Sequence, residues 1–480
     1  VELADVERLL AIPEARIGAL RGALRAAGLD PRFVAKLARV GEGFDDPYRA
    51  PMRAWHARRL PEPAAVAARL FLLHDPVSVR HAESVLGDLT ALAHGGLVDV
   101  VGDCVTSPTR VALAGELVIF GDRSAAADAV PPLNAVTALL GRASIPRRPV
   151  EKALDLGCGA GALALSLAAS ARRVVATDVN PRALAWARFN ARFNGVAGVD
   201  FRLGDLFEPV REDRFDLVVA QPPFVARRAD AEPSTFAHGG DRGDELALRA
   251  LSGAASRLTP EGRAVVLADW PLVDGDSLDG RVRAAIGVAR ADAFVLQSPA
   301  KNLDEYCTSI AAAEHPHLGD AFARAACAQR DHFERLGVRG VAQGLVVLEA
   351  SGAGRTALVS VRHGSDVPVA SETVDRIVAA HALASAPERA LLTARLRMPA
   401  GTRLVEQPSV HGAGAAVLVQ LPASRPEWPF ALEPSVADAL RAIDAASSVL
   451  EAAGAGAQRA GQLAAIARDA LRRGALEVTA

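Results

Sequence analysis

Lysine is scarce in this chain: only Lys36, Lys152 and Lys301 stand against many arginines. That imbalance, with the abundance of alanine, follows from coding-sequence base composition and carries no functional reading. Net charge is also small. A formal value of −2 excludes a broad electrostatic grip on nucleic acid and leaves room only for a local arginine patch. The four cysteines, Cys104, Cys158, Cys307 and Cys327, are too scattered for a disulfide framework or a close-spaced zinc set. A reducing, cytoplasmic setting is therefore expected. Long apolar runs are missing too. Charge interrupts the alanine-rich stretches before they reach membrane-spanning length, and the acidic start lacks the apolar core of a cleavable signal. A soluble protein without a membrane partner is expected. No solenoid repeat is evident, and His238, His315 and His317 lack partners at metal-ligand spacing, so no metal is expected.

What is present is a folding composition, 50% hydrophobic and 23% charged, in a chain long enough for two or three domains. Residues 1–95 carry helical periodicity over 6–10, 17–26, 33–40, 64–71 and 79–92. Two β-like runs follow, at 97–101 and 111–120. Helices followed by a short hairpin predict a helical, winged-helix-like cap or substrate domain over 1–125. Residues 126–365 alternate strand and helix: strands at 152–156, 173–177, 199–203, 215–220 and 263–267, helices at 162–169, 181–194 and 244–257. That alternation predicts an α/β fold with a central doubly wound, Rossmann-like parallel sheet. Late strands are expected at 292–297 and 341–349, a final antiparallel partner at 356–362, and one helix over 318–336. Residues 366–480 predict a winged-helix-like α+β accessory domain: helices at 373–384, 387–394, 436–445 and 461–471, strands at 396–407 and 415–421 joined by a turn at 411–414, and an edge strand at 474–478.

The segment Asp155-Leu-Gly157-Cys158-Gly159-Ala-Gly161 falls where an apolar strand stops and a helix begins, the place where parallel sheets bind ligands. Gly157 and Gly159 permit a tight turn and close approach to a ligand, and Gly161 relieves crowding at the helix start. Three such glycines also occur in dinucleotide sites. Asp155 ahead of them is poorly placed against a pyrophosphate and suits the amino-acid end of S-adenosyl-L-methionine, directly or through water. Asp178 ends the next strand, where a carboxylate accepts from both ribose hydroxyls; Val179 follows, and Asn180 caps a helix opened by Pro181. Gly204, Asp205 and Leu206 follow the third strand, with Asp205 placed for an adenine amino group or, alternatively, as a cap or surface carboxylate. Here the chain resembles class I S-adenosylmethionine-dependent methyltransferases, over residues 130–362 and most closely over 152–224. That resemblance makes Cys158 a small packing residue of the turn.

Gln221-Pro222-Pro223-Phe224 ends the strand at 215–220. The prolines fix the chain's direction and remove two donors, leaving the Gln221 side-chain oxygen to accept from an incoming amino group. The carbonyl of Ala220 or Pro222 can accept a second proton, and Phe224 can stack on a flat acceptor. The segment resembles the Asn/Asp-Pro-Pro-aromatic motif of N-methyltransferases acting on exocyclic amines or glutamine amides, with glutamine in place of asparagine. His238-Gly239-Gly240-Asp241-Arg242-Gly243 loosely resembles the Gly-Gly-x-Asp-Gly segment of the enzymes that methylate release-factor glutamine, its aspartate one position early. The resemblance implies N-methylation of a planar amide or amino nitrogen, with a protein glutamine as substrate. Ribosomal RNA or another nucleic acid, a small molecule, and an adaptor with a degenerate cofactor fold are the alternatives. Arg227 and Arg228 are candidates for contact with phosphate or an acidic protein patch or, alternatively, ordinary surface cations on a solvated face. Trp270 and Tyr306 are candidates for the substrate side or the core.

Overall fold

The computed structural model describes residues 6–30, 32–33, 50–123, 126–231, 234–289, 291–315, 318–350, 354, 356–361, 369–407, 416–454 and 456–478. The helix expected at 33–40 and the turn expected at 411–414 lie almost wholly or wholly outside them.

Eight strands form the central sheet: β1 Val150–Leu156, β2 Ala171–Asp178, β3 Val199–Leu203, β4 Phe215–Ala220, β5 Leu258–Val273, β6 Asp292–Gln297, β7 Val338–Glu349 and β8 Thr356–Ser360. Their order is β8-β6-β7-β5-β4-β1-β2-β3. β4 shows why the sheet is covered on both faces. Leu217 and Val219 enter one apolar core while Val218 and Ala220 enter the other, the period of two that a strand buried on both sides requires; Phe215, at the strand's start, joins the second core out of that alternation. Chain order reverses between β1 and β4, which pair in parallel with Leu156 beside Ala220. A crevice opens at such a switch point.

The far half departs from expectation. The antiparallel strand is β7, which inserts between β5 and β6. β8, expected to be antiparallel, runs parallel to β6. The strand read at 263–267 extends over all of β5. Between β6 and β7, two helices replace the single one expected: α6 Leu303–Glu314 and α7 Asp320–Arg335, taking α1 Ala135–Ser144, α2 Ala162–Leu167, α3 Pro181–Asn194, α4 Glu245–Ala255 and α5 Leu278–Ile286 as the earlier central helices. Asn302 supplies the missed N-cap of α6, its side chain accepting from Glu305 N at 2.8 Å.

The N-terminal β-like runs are two hairpins rather than one. Asp99–Val101 pairs with Cys104–Thr106, which also pairs with Val77–Ser78, and Thr109–Ala114 pairs with Leu117–Asp122. The second hairpin docks on α3. Asn190 and Asn194, one turn apart, exchange amide hydrogen bonds with the Phe120 and Val118 backbones at 2.8–2.9 Å, substituting for a neighbouring strand. Phe120 meets Phe71, Phe189 and Phe193 edge-on, and one apolar core joins these N-terminal elements to α3. The C-terminal elements enclose a core of their own around Leu440, Leu463 and Leu471.

Asp122 closes the N-terminal junction. Its buried carboxylate accepts from Arg182 Nε and Nη2 at 2.7 and 2.6 Å and from Val130 N at 2.9 Å. Removing the acid leaves a buried guanidinium uncompensated. Asp122→Ala is expected to cost about 3 kcal/mol in urea unfolding, with Asp122→Asn less damaging; equal stability of Asp122→Ala and wild type contradicts this role.

Candidate active site

The carboxyl ends of β1 to β4 converge on a cavity of about 230 Å³, walled by Gly157, Gly159, Asp178, Asp205, Gln221 and Phe236 among others. In the glycine turn, Gly157 and Gly159 have φ of 75° and 52°, and a Cβ on either would meet no atom within 4 Å. The turn is left-handed with free space above it, a cradle that a ligand can enter closely. Gly161 differs. At φ 86°, its Cβ would come within 3.0 Å of the Ala187 Cβ, so the crowding it relieves comes from α3 and not from the helix it starts.

Asp178 holds this turn from the side. One oxygen accepts from Gly159 N and the other from Asn180 N, both at 2.9 Å. Burial raises its pKa above the ordinary carboxylate value, opposed by those N–H groups. Each oxygen keeps a lone pair for another donor. Val179 and Asn180 line the cavity beside it, the Asn180 oxygen capping α3 and its amide reaching the Asp128 carbonyl at 2.9 Å. Gly204, Asp205 and Leu206 form the next wall. Asp205 is half exposed and paired with Arg249 at 2.8 Å, a partner one strand and one helix away in sequence and invisible there.

Asp155 takes a different place from the one expected. It lies beneath the turn outside the cavity wall, 1% exposed, with Oδ2 accepting from Ala164 N at 2.8 Å. Its work is to satisfy an orphan donor at the start of α2. Cys158 is buried, its thiol pushed well up by burial and by Asp178 and Asp155, which suits a packing residue and not a nucleophile.

In the second half of the cavity, the Gln221 Oε1 is buried and has no hydrogen-bond partner among the described residues. Pro222 and Pro223 line the wall after it. Phe224 does not: it packs against the apolar core shared by β4 and β5. The aromatic side chain in the wall is Phe236, 45% exposed. The glycine-rich segment accounts for this arrangement. Residues 225–226 and 238–240 pair in parallel, and Arg227 N donates to the Gly240 carbonyl at 2.8 Å. A Cβ on Gly239 would collide with the Pro223 carbonyl, and one on Gly243 with that of Phe224. Those glycines permit backbone to pass on backbone. Thr235 N, beside Phe236, donates to the Ala127 carbonyl at 2.9 Å and closes the loop over the cavity.

The remaining candidates fall elsewhere. Trp270 is fully buried, its indole donating to the Gly344 carbonyl at 3.1 Å, and Tyr306 packs on Phe333. Both are core residues outside the cavity wall. Arg228 is 6% exposed and occupied by protein groups, whereas Arg227 faces solvent. His238 Nδ1 accepts from Ser234 N at 3.1 Å, and burial lowers its pKa. Among the described residues, no His, Cys, Asp and Glu gather into a metal-holding group, and no helix is long and apolar enough to cross a membrane. Sequence reasoning missed Phe236, whose one signal was a lone aromatic in a polar loop, and Arg249, which gave none.

Residues 134–297 match the model of the methyltransferase small domain. The release factor glutamine methyltransferase of Xylella fastidiosa (strain Temecula1) is 37% identical over 131 residues, 25% of this chain and 47% of that protein. Its counterpart in Cereibacter sphaeroides is 39% identical over 156 residues, 30% and 54%. That of Moorella thermoacetica is 40% identical over 119 residues, 22% and 42%. The chain thus spans about half the length of the curated relatives it matches. Among solved structures, an rRNA methylase from Streptococcus thermophilus aligns at 15% identity and a TM-score of 0.26 over 44% of this chain and 92% of that one, a likeness too slight to bear on function.

Asp155 gives a testable pH dependence. Burial pushes its pKa from the ordinary 3.8 up to about 7, with Asp178 adding and the Ala164 N–H opposing. Folding therefore takes up a proton between those values. The carboxyl's contribution to stability is complete below the unfolded value and is lost as pH rises through about 7. Asp155→Asn keeps an acceptor for Ala164 but cannot titrate, so its unfolding free energy relative to wild type should rise across that window. A flat difference curve contradicts the assignment.

Proposed function

We propose that this chain is an S-adenosyl-L-methionine-dependent N-methyltransferase whose acceptor is the side-chain amide of a protein glutamine. The observation that carries the reading is the buried Gln221 Oε1, without a partner among the described residues, beside a glycine cradle with open space above it. An orphaned buried acceptor costs about 1–3 kcal/mol, and an incoming N–H relieves that cost. Residues 134–297 supply the domain in which this chemistry occurs, and the similar proteins are named for glutamine methylation.

The cavity's donor and acceptor set fits the cofactor. Gly157 and Gly159 would admit its amino-acid end, Asp178 would accept from the ribose hydroxyls, and Asp205 with Leu206 would meet the adenine. Cys158, Gly161, Val179, Asn180 and Gly204 shape that half of the cavity. Bound there, the cofactor supplies an electrophilic methyl on sulfonium. Gln221 Oε1 would accept a hydrogen bond from one amide N–H and a carbonyl of Ala220 or Pro222 from the other, turning the nitrogen toward the methyl and stabilising the charge that develops there as the N–C bond forms and the S–C bond breaks; one N–H proton then leaves to solvent. Phe236 takes the stacking role first given to Phe224. The acceptor half is neutral, walled by Pro131, Pro132, Asn134, Pro222, Phe236 and Leu246. A polynucleotide would bring phosphates to a wall that offers them no cation, so we favour a polypeptide over RNA.

The flanks suit docking. From Glu62 to Thr106 the order of helix, short strand, two helices and hairpin, with Val77–Ser78 closing a three-stranded sheet, supports our winged-helix-like reading. We read residues 1–125 and the winged-helix-like unit at 366–480 as modules that present a protein partner to the methyltransferase unit at 126–365. The four described thiols are free, in keeping with a reducing cytoplasm.

The test is transfer of labelled methyl into purified release factor, other protein, RNA and metabolite fractions. Label is expected in the release factor. Gln221→Ala is expected to lose about 10²-fold or more in turnover while its calorimetric affinity for S-adenosyl-L-methionine holds. Asp178→Ala is expected to lose that affinity first. Label in RNA alone, or undiminished transfer by Gln221→Ala, overturns the proposal.

A further inference from the structure

We propose that the helical pair α6–α7 is a clamp on the acceptor loop, with Arg228 and Gln329 as its positioning residues. The inference rests on the reading of Gln221 as acceptor-facing and adds to it the device that holds the loop in place.

The pair is inserted between β6 and β7, where antiparallel neighbours need only a tight turn. Its apolar side meets the loop at Ala226, which shares a buried cluster with Leu303, Tyr306, Cys307 and Phe333. The polar contacts are more informative. Arg228, inside the loop, sends Nη1 to Gln329 Oε1 at 2.9 Å and sets its other nitrogens against Asp230 at 3.2 Å and Glu314 at 3.5 Å. Gln329 is fully buried, and its Nε2 reaches the Ala226 carbonyl at 3.4 Å. At the loop's far end, His332 Nε2 meets the Asp241 carbonyl at 2.7 Å. Helices that only thickened a core would present apolar side chains to the sheet. Here α7 satisfies backbone groups at both ends of the segment that carries Phe236, at Ala226, five residues beyond Gln221, and at Asp241. A buried guanidinium also demands its partners, so the node has one low-energy arrangement.

Positioning of this kind affects the acceptor and not the cofactor, because the glycine turn and Asp178 are held by β2 and α3. Gln329→Leu removes both amide bonds at similar volume, Gln329→Glu keeps the acceptor for Arg228 but loses the donor to Ala226, and Arg228→Lys keeps charge without the fork. In the full chain, each variant is compared by calorimetry with S-adenosyl-L-homocysteine, by hydrogen exchange over residues 222–243, and by methyl transfer to the purified release factor. For Gln329→Leu we expect cofactor affinity within about twofold of wild type, loop exchange about tenfold faster, and kcat/KM down about tenfold or more, with KM raised. Gln329→Glu should fall between. Unchanged loop exchange in Gln329→Leu overturns the clamp, as does faster exchange with unchanged transfer. Cofactor affinity falling in step with transfer also overturns it, since the pair would then be a general structural support. If wild type methylates no release factor while the exchange pattern holds, the acceptor reading fails and the clamp stands.

Discussion

Everything in the site depends on the parallel pairing of β1 with β4 at the point where strand order reverses. With Leu156 beside Ala220, the next residues of the two strands, Gly157 and Gln221, emerge side by side. Neither the turn nor the amide chooses its neighbour; the register does. A shift of one residue would turn the β4 side chains to the opposite face and send Leu217 and Val219 into the wrong core. The same apolar alternation that holds the sheet together therefore sets the spacing between cradle and acceptor.

Charge is then placed around that register in two ways. Beneath and beside the turn, carboxylates are used as hydrogen-bond acceptors for backbone: Asp155 for α2, Asp178 for the turn and α3. Around the periphery, buried arginines tie inserted or flanking elements to the site, Arg182 to the N-terminal hairpin and Arg228 to α6 and α7. Asn190 links the two zones, donating to both the Phe120 carbonyl of the hairpin and the Ala160 carbonyl of the glycine turn at 2.8 and 2.9 Å. The N-terminal module is thereby bridged, through one side chain of α3, to the segment that cradles the cofactor in our reading.

What could be read from the chain followed from local chemistry. Strand and helix periodicity located β1 to β4 and α3 within a few residues, and glycine turn chemistry together with the prolines at 222 and 223 located both halves of the cavity. Direction of pairing was not legible at the far edge, because an apolar run such as 356–360 carries no mark of parallel or antiparallel partners. Asp155 and Phe224 were misplaced for one reason: in a strand or just beyond it, a residue's face depends on register and loop path, which motif spacing does not contain. Phe236 reaches the cavity by a loop folding back on glycines, and Arg249 reaches Asp205 in its wall from a later helix. Arg228 read as a surface cation because its partners, Glu314 and Gln329, lie about a hundred residues away on helices not both expected.

The central claim is that the amide at 221 faces the transferable methyl carbon held above the glycine turn. Its most direct test is a crystal structure with S-adenosyl-L-methionine and a glutamine-containing acceptor segment. The account predicts the acceptor nitrogen about 3–3.5 Å from that carbon, with Gln221 Oε1 accepting one of its protons. A cofactor bound elsewhere, or a Gln221 side chain turned into the core and bonded to protein, contradicts it.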